Sequence, residues 1–427
     1  MSRLTTLAAR LRSSFLKDVL KLSFGTLGGR LIALAALPLV TRLYSPEDFA
    51  LLAVYLALVS TLAVVACLRL EIAIPLVETE DEAANLLALA LSVLVLVTTV
   101  LTILAFLIPE RLSAALGAPE LASYLWLVPL GVAMTGSYSV LQFWATRARR
   151  FGEIARTRVG QAMAGVSAML TLGWTGFLPI GLLLGNMLNI GAGGVILAVS
   201  ALARDGARLR AVRLRNLAPA FRRNHRYTLF STPEALFNVA GLQVPVLLIA
   251  AYAGAEAGSL FLAMQVMATP LKLLGGSIAQ VYVSRAPTEF REGRLAPFTL
   301  LIMRRLGLIG VVPLILAGAL APWAFPVVFG ENWAQAGQVA VWLVPWLALQ
   351  FIASPVSMVL HTVGHQDWAM VLQGLGMVIR VGAVALAIWL DAGPVVAFSL
   401  GSAVFYALYL SVVYFAAFSS PPPQVTR

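Results

Sequence analysis

The sequence has few charged residues and almost no cysteine. Only 11% of its 427 residues are Asp, Glu, Lys or Arg, whereas these four make up about a quarter of an ordinary globular domain. Because 60% of the residues are hydrophobic and the mean hydropathy is +0.89, a soluble globular chain is excluded. The single cysteine, Cys67, excludes an intramolecular disulfide and any cysteine-based metal site.

Motifs of catalysis and of metal binding are also missing. The sequence holds no G-x-x-x-x-G-K-[ST] phosphate loop, so the chain is not an ATP-driven pump by itself. His361 and His365 have the i, i+4 spacing of metal ligands, but Gly364 lies between them and Asp367 is the only acidic residue nearby. We therefore expect neither an enzyme, nor a metal site, nor a bound cofactor.

Long apolar runs fill most of the chain instead. A transmembrane helix takes about 20 apolar residues, and no loop is large enough to form a separate soluble domain. The runs lie at roughly 22–43, 48–69, 84–108, 122–145, 157–177, 180–203, 227–252, 257–283, 297–320, 337–361, 368–390 and 393–418. The sequence therefore predicts an all-α membrane protein of about twelve transmembrane helices.

The distribution of Lys and Arg predicts how these helices are oriented. Of the 30 Lys and Arg, 25 fall in alternate connections and in the termini, while the opposite connections hold only Arg42 and Arg111. Since Lys and Arg concentrate on the cytoplasmic side, we expect both termini in the cytoplasm of a bacterial cell and the helices in its inner membrane. The net charge of +11 is therefore a topology signal and does not indicate a nucleic-acid partner.

The spans and the basic segments divide the chain. Five Lys and Arg alternate with apolar residues in the first 21 residues, which favours an amphipathic helix on the inner leaflet; an unstructured basic tail is the alternative. The longest inner loop, 204–226, lies near the midpoint and separates two sets of six spans. The predicted parts are an N-terminal segment 1–21, an N-lobe 22–205, a basic linker 206–226, a C-lobe 227–418 and a cytoplasmic tail 419–427.

Traces of an internal repeat indicate that the two lobes are related. Trp126-Leu127-Val128-Pro129 recurs as Trp342-Leu343-Val344-Pro345, at an offset of 216 residues. Tyr44 and Asp48 likewise match Tyr252 and Glu256, at an offset of 208 residues. Each match falls at the equivalent point of the predicted topology, which favours two six-helix lobes related by pseudo-two-fold symmetry.

Ionisable residues inside the spans are the main candidates for a functional site. A charge at the centre of a bilayer costs at least about 2.5–3.5 kcal/mol, so such a residue usually faces a polar cavity or a partner. Arg30, Lys272 and Arg380 are cations, and Glu234 is the one acid among the four. Because Arg and Lys bind phosphate oxygens, the excess of cations favours a substrate with a phosphate or diphosphate, to which Asn238 would add a polar contact.

Some of these residues also have simpler interpretations. Lys272 would reach the inner interface if its side chain extended along the helix, and Glu234 would serve only to neutralise a buried cation. The alternative for Glu234 is a role in coupling to H⁺ or Na⁺. Pro233, Pro245 and Pro270 lie near these residues and would kink their helices, as gating helices of transporters do; irregular packing also accounts for them.

Several segments of the chain follow a pattern of small, apolar and proline residues: Thr41–Phe49 with Arg30 and Pro38, Ser231–Asn238, Gln243–Pro245, Ala257–Ala263, Pro270–Gly275 and Gln280–Tyr282. In these segments the sequence resembles the bacterial polysaccharide (O-antigen-type) flippases of the multidrug/oligosaccharidyl-lipid/polysaccharide exporter superfamily. The chain departs from the family pattern at Ala50, where glycine is usual, while the corresponding Gly258 is present. The two additional spans typical of lipid II flippases are not found.

The resemblance implies a V-shaped exporter fold that moves undecaprenyl-diphosphate-linked sugars between leaflets. We therefore expect a flippase for a polyprenyl-diphosphate-linked oligosaccharide in cell-surface polysaccharide synthesis, whether of lipopolysaccharide O-antigen or exopolysaccharide. Expected partners are this substrate, membrane lipids, H⁺ or Na⁺, and other membrane proteins of polysaccharide assembly. The alternatives are a drug/cation antiporter of the same superfamily, which would favour acidic residues, and an integral membrane glycan polymerase or ligase, which would carry a long outer loop.

Overall fold

The computed structural model describes residues 24–363 and 366–419, and every regular element in these ranges is helical. The predicted all-α class is therefore confirmed. The predicted amphipathic segment 1–21 and the tail from residue 420 onward lie outside the described residues. So does His365, and the side chain of His361 is likewise not described.

The described chain forms two compact units. The first unit contains the described residues of Met1–Tyr44 together with Tyr55–Leu236. Within it, α6 packs along α7, and α5 packs on α3 and α8. Its helices are α1 (Phe24–Leu43), most of α2 (Pro46–Ala66), α3 (Glu80–Leu107), α4 (Pro109–Ala115), α5 (Leu127–Arg147), α6 (Phe151–Trp174), α7 (Ile180–Gly191), α8 (Gly193–Arg210) and α9 (Leu217–Arg226).

The second unit contains Ser45–Val54 and Phe237–Arg427, so the first residues of α2 belong to it. In this unit α14 packs on α11, α13 and α17, and α16 packs on α17. Its helices are most of α10 (Thr232–Ala253), α11 (Ala255–Arg291), α12 (Leu295–Leu306), α13 (Val312–Phe329), α14 (Ala334–Val356), α15 (Val359–Thr362), α16 (Gln366–Trp389) and α17 (Pro394–Ser419). The lobe boundaries predicted from the sequence remain a prediction.

Ten helices of the described residues are long and apolar enough to cross a membrane. The predicted spans 122–145 and 157–177 correspond to α5 and α6, which have 21 and 24 residues but are not among the ten. The physical reason is polarity, since the first two turns of α6 carry Arg156 and Arg158. With these two helices, the architecture agrees with the prediction of about twelve spans.

Local sequence explains where α2 begins. The backbone N–H of Ser45 donates to Asp48 Oδ2 at 2.9 Å, and the N–H of Asp48 donates back to Ser45 Oγ at 3.3 Å. This reciprocal pair is a capping box, and Pro46 fits the first helical position because it has no N–H to leave unsatisfied. The helix therefore starts at a fixed residue.

The repeated segments found in the sequence also meet in space, inside the second unit. A Cβ added to Gly258 on α11 would lie 1.9 Å from the Pro46 carbonyl oxygen and 2.8 Å from the Ala50 nitrogen at the start of α2. The ring of Phe49 lies 4.8 Å from that of Trp333, centre to centre. Only glycine permits this approach of two backbones, which explains why Gly258 occupies the position.

Candidate functional site

The second unit contains a cavity of about 140 Å³ between α11 and α14. Among the described residues that line it, Lys272 on α11 is the only charged one, and Gln350 and Ser354 on α14 add polar groups. The adjacent glycines, Gly275 and Gly276, keep side chains out of the space on the α11 side. The cavity therefore presents one ammonium group and a few hydrogen-bonding groups within an otherwise apolar wall.

Arg380 lies in the same unit but does not line this cavity. Its side chain on α16 is only 2% exposed, and its guanidinium carbon lies 4.2 Å above the Phe405 ring and 5.4 Å above the Tyr406 ring on α17. The guanidinium also interacts electrostatically with the Tyr406 side chain. Among the described residues no carboxylate pairs with it, and its Nε has no hydrogen-bond partner. Aromatic faces thus take the place of a counter-ion.

A hydrogen bond connects Arg380 to the cavity. Gln350 Nε2 donates to the Tyr406 hydroxyl at 2.9 Å, and Gln350 is also part of the cavity wall. A group that binds in the cavity and displaces Gln350 would therefore change the hydrogen bonding of Tyr406 and the environment of Arg380. In this geometry Tyr406 and Gln350 lie between Arg380 and the cavity.

The first unit holds a pair of cations on adjacent helices. Arg30 on α1 is exposed, and its charge interacts with that of Arg158 on α6. The two helices are close at this point because a Cβ added to Gly29 would lie 2.7 Å from the Arg158 carbonyl oxygen. Neither arginine forms an ion pair with a described carboxylate. Two positive charges therefore share one surface without a compensating acid.

Arg158 is held in place by α5. Its Nη2 donates to Gln142 Oε1 at 2.8 Å, and its guanidinium carbon lies 4.9 Å from the centre of the Tyr138 ring. Arg158 was missed by the sequence analysis, which counted it with the cytoplasmic connection although it was the second residue of the predicted span 157–177. The helix begins at Phe151, so Arg158 lies two turns inside α6.

Two acidic residues of the first unit pair with other cations. Glu80 on α3 pairs with Arg147 at 3.2 Å and Arg208 at 2.8 Å. Asp205 on α8 pairs with Arg150 at 2.9 Å. None of the described carboxylates pairs with Arg30 or Arg158, and this excess of positive charge is the main electrostatic feature of the site.

Comparison with known proteins shows the family and agrees with the fold. The family model described as "Polysaccharide biosynthesis protein" matches residues 39–338. The chain belongs to this family. No curated protein matches it.

Solved structures of similar fold are transporters of the MOP superfamily. "Lipid II flippase MurJ, inward closed conformation" has a TM-score of 0.69 and 14% identity, over 93% of this chain and 90% of that one. An inward-facing multidrug resistance MATE transporter has a TM-score of 0.63 and 15% identity, over 94% and 97%. A MOP superfamily transporter from Pyrococcus furiosus has a TM-score of 0.62 and 14% identity, over 94% of each chain. At these identities the likeness shows the fold, and this member of the polysaccharide biosynthesis family is a multi-pass membrane protein.

The other predicted site residues of this polysaccharide biosynthesis protein are more dispersed. Glu234 is half-buried in the first turn of α10, and within the first unit it forms no ion pair with Arg30. Asn238, one turn later, is exposed. The division between the units runs between these two residues. The predicted roles of Glu234 and Asn238 remain predictions.

The prolines predicted to kink helices lie in two different settings. Pro245 is buried inside α10, and Pro233 is exposed in its first turn, directly after the π-helical turn Tyr227–Ser231. Pro270 lies within α11, which is continuous from Ala255 to Arg291. The π-helical turn is an irregularity that the sequence did not reveal, and such turns often occur at functional sites.

Proposed function

We propose that this protein is a flippase that moves a polyprenyl-diphosphate-linked oligosaccharide from the inner to the outer leaflet of the bacterial cytoplasmic membrane by alternating access. The observation that carries the proposal is the pair Arg30 and Arg158, two neighbouring cations in membrane-spanning helices without a carboxylate partner in the described chain. Family membership in polysaccharide biosynthesis supports the sugar part of the substrate.

Physical chemistry explains why the pair favours an anionic substrate. Two like charges held together in a medium of low dielectric repel each other, and each also costs at least about 2.5–3.5 kcal/mol to place in the membrane. A diphosphate removes both penalties, because its oxygens accept several charge-assisted hydrogen bonds from guanidinium groups. A cationic drug would increase the repulsion, which argues against the antiporter alternative.

The cavity of the second unit, taken by itself, has groups that suit part of such a head group. Lys272 offers a point charge, and Gln350 and Ser354 offer hydrogen bonds suited to phosphate oxygens or sugar hydroxyls. Its volume of about 140 Å³ is below the roughly 300–1,000 Å³ of complete ligand pockets. We therefore assign it to one part of the head group, while the polyprenyl chain stays in the lipid.

The test is movement of a defined lipid in reconstituted vesicles. The protein is placed in vesicles that contain undecaprenyl-diphosphate linked to a fluorescent sugar, and an impermeant quencher reports which leaflet holds the label. We expect quenching to rise faster than in protein-free vesicles. Transport of a cationic dye without movement of the lipid would support the antiporter instead, and lengthening of the sugar chain would support the polymerase.

Variants of α6 provide a matched control. Arg158→Ala should lower the rate roughly tenfold or more, because one charge-assisted hydrogen bond contributes about 1.5–3 kcal/mol. Arg156, two residues earlier, is exposed on the same helix and forms no ion pair with a described residue. Arg156→Ala should therefore keep the wild-type rate at equal membrane abundance. Equal rates for both variants would contradict the assignment of Arg158 to the substrate.

A further inference from the structure

The connection between α2 and α3, residues 67–79, is folded into the first unit. Leu70, Ala73 and Ile74 are completely buried there. The two residues before the short helix Leu70–Ala73 have positive φ angles, 50° at Leu68 and 57° at Arg69. Such conformations cost on the order of 1–3 kcal/mol each for residues other than glycine, and they persist only where the surroundings hold them.

Two side chains from other helices hold this connection. Arg147, at the end of α5, donates from Nη1 to the carbonyl oxygens of Ile74 at 2.9 Å and Val77 at 2.6 Å. Thr228 donates from Oγ1 to the Leu68 carbonyl oxygen at 3.1 Å. Because Thr228 belongs to the π-helical turn that precedes α10, the connection is attached to the start of that helix.

Glu71 is buried in the middle of this connection. It is 4% exposed, and its Oε2 is buried without a hydrogen-bond partner among the described residues. Its Oε1 lies 3.7 Å from Arg69 Nη1, which is too long for a hydrogen bond. An ionised carboxylate in this setting is poorly solvated and poorly paired. A protonated carboxyl is neutral, so its burial costs much less solvation free energy.

On the neighbouring helices, Arg147 of α5 donates to the carbonyl oxygens of this connection, and two acidic residues of α3 have partners other than Glu71. From α3, Glu80 pairs with Arg147, and Glu82 accepts a hydrogen bond from Asn224 of α9 at 3.3 Å. The π-helical turn contributes no charged residue. Burial raises the pKa of the Glu71 carboxyl above its ordinary value, and its backbone hydrogen bond and the charge of Arg69 offset this only in part.

We propose that Glu71 is a proton-binding site that controls whether the α2–α3 connection stays packed in the first unit and attached to the start of α10. With the proton bound, the buried carboxyl is neutral and the packed arrangement is stable. Loss of the proton leaves a buried charge that Arg69 compensates only in part, so the connection moves out to water and the Thr228 bond to Leu68 breaks. The inference concerns this chain's own conformation and holds whichever substrate the protein carries.

The direction of the pH dependence follows from the sign of the shift. A carboxyl whose pKa is raised in the packed state favours that state most at a pH below its ordinary value. As the pH rises, the packed state loses stability until the raised pKa of Glu71 has been passed. The open arrangement is therefore the alkaline one.

Cys67, the only cysteine of the chain, provides a reporter without any engineering. It is 2% exposed, and it interacts electrostatically with Glu71. The full-length protein in phosphatidylethanolamine and phosphatidylglycerol vesicles is treated with a small thiol reagent from pH 5.5 to 8.5. At each pH, the labelling rate of the native protein is divided by that of the same protein in denaturant. This ratio corrects for the rise in the thiolate fraction with pH, because the reagent reacts only with the thiolate.

We expect this ratio to rise with pH in the wild type, by up to about tenfold per pH unit for one ionising group. It should be constant in Glu71→Gln, whereas Glu78→Gln, which changes an exposed acid of the same connection, should behave as the wild type. A constant ratio in the wild type, or an unchanged rise in Glu71→Gln, would overturn the proposal.

A second variant covers the case in which Glu71→Gln does not fold. Arg69→Gln removes the cation that lowers the pKa of Glu71. If Glu71 binds the proton, the rise in labelling should move to higher pH in this variant. A change by the same factor at every pH would show that Arg69 and Glu71 have only a packing role.

Discussion

Both units hold an arginine against a tyrosine ring with a glutamine nearby, but the two arginines differ in exposure. In the first unit Arg158 is half-buried, donates directly to Gln142 and lies beside the exposed Arg30. In the second unit Arg380 is 2% exposed, and Gln350 reaches it only through Tyr406. The same three residue types therefore give a direct Arg–Gln hydrogen bond in the first unit. In the second unit the tyrosine lies between the arginine and the glutamine.

The largest effect should come from the first unit. Arg30→Ala and Arg158→Ala should each lower the initial rate of lipid movement roughly tenfold to a hundredfold, because each removes charge-assisted bonds of about 1.5–3 kcal/mol. If both hold the same anion, the double variant should be little worse than either single one. If the rate loss of the double variant equals the product of the two single losses, the arginines contact separate groups. That result would contradict their description as one site.

A smaller loss should follow from separating the two arginines without removing either. Gly29→Ala places a Cβ 2.7 Å from the Arg158 carbonyl oxygen, so α1 must move away from α6. Because overpacking costs about 1–3 kcal/mol, we expect a loss of roughly fivefold in the vesicle assay. Gly28→Ala is the control, since its Cβ would meet only Val159 at 3.7 Å. Equal rates for the two alanine variants would mean that the spacing of Arg30 and Arg158 is unimportant.

The smallest effects come from the tyrosine hydroxyls, and they distinguish the two units. Tyr406→Phe keeps the ring against Arg380 but removes the acceptor of Gln350, so the rate should fall about two- to tenfold, for a hydrogen bond of about 0.5–1.5 kcal/mol. Tyr138→Phe loses only a 3.3 Å contact with Thr157, whose hydroxyl already donates to Ile154. It should change the rate less than twofold. If Tyr138→Phe lowers the rate more than Tyr406→Phe, the expected difference between the two units is wrong.

Apolar patterning predicted the helical class and most spans, because a membrane forces every backbone group into internal hydrogen bonds. Span boundaries were less predictable, and the start of α6 decided how Arg158 was interpreted. The predicted span began one residue before Arg158, whereas α6 begins at Phe151 and places Arg158 two turns inside the helix. The lesson is that cations within two turns of a predicted span end belong among the site candidates.

The surroundings of Arg380 and Glu71 could not be predicted, because they depend on contacts between distant parts of the chain. Arg380 meets rings from α17, and Glu71 lies in a connection held by Thr228, about 160 residues away. The sequence showed Arg380 as a deep cation and residues 67–79 as an ordinary short loop. Periodicity says which face of a helix is apolar, but it does not say which partner covers that face.

The position of Phe49 has a consequence for biosynthesis. This residue is 1% exposed and packs against Trp333 in the second unit. The ribosome makes Phe49 about 280 residues before Trp333, which at about 5–20 residues per second is roughly 15–60 s. During that time the first residues of α2 are in the membrane without Trp333 to cover Phe49. Thus α2 is synthesised early, but the packing of its first residues is completed only after Trp333 has been made.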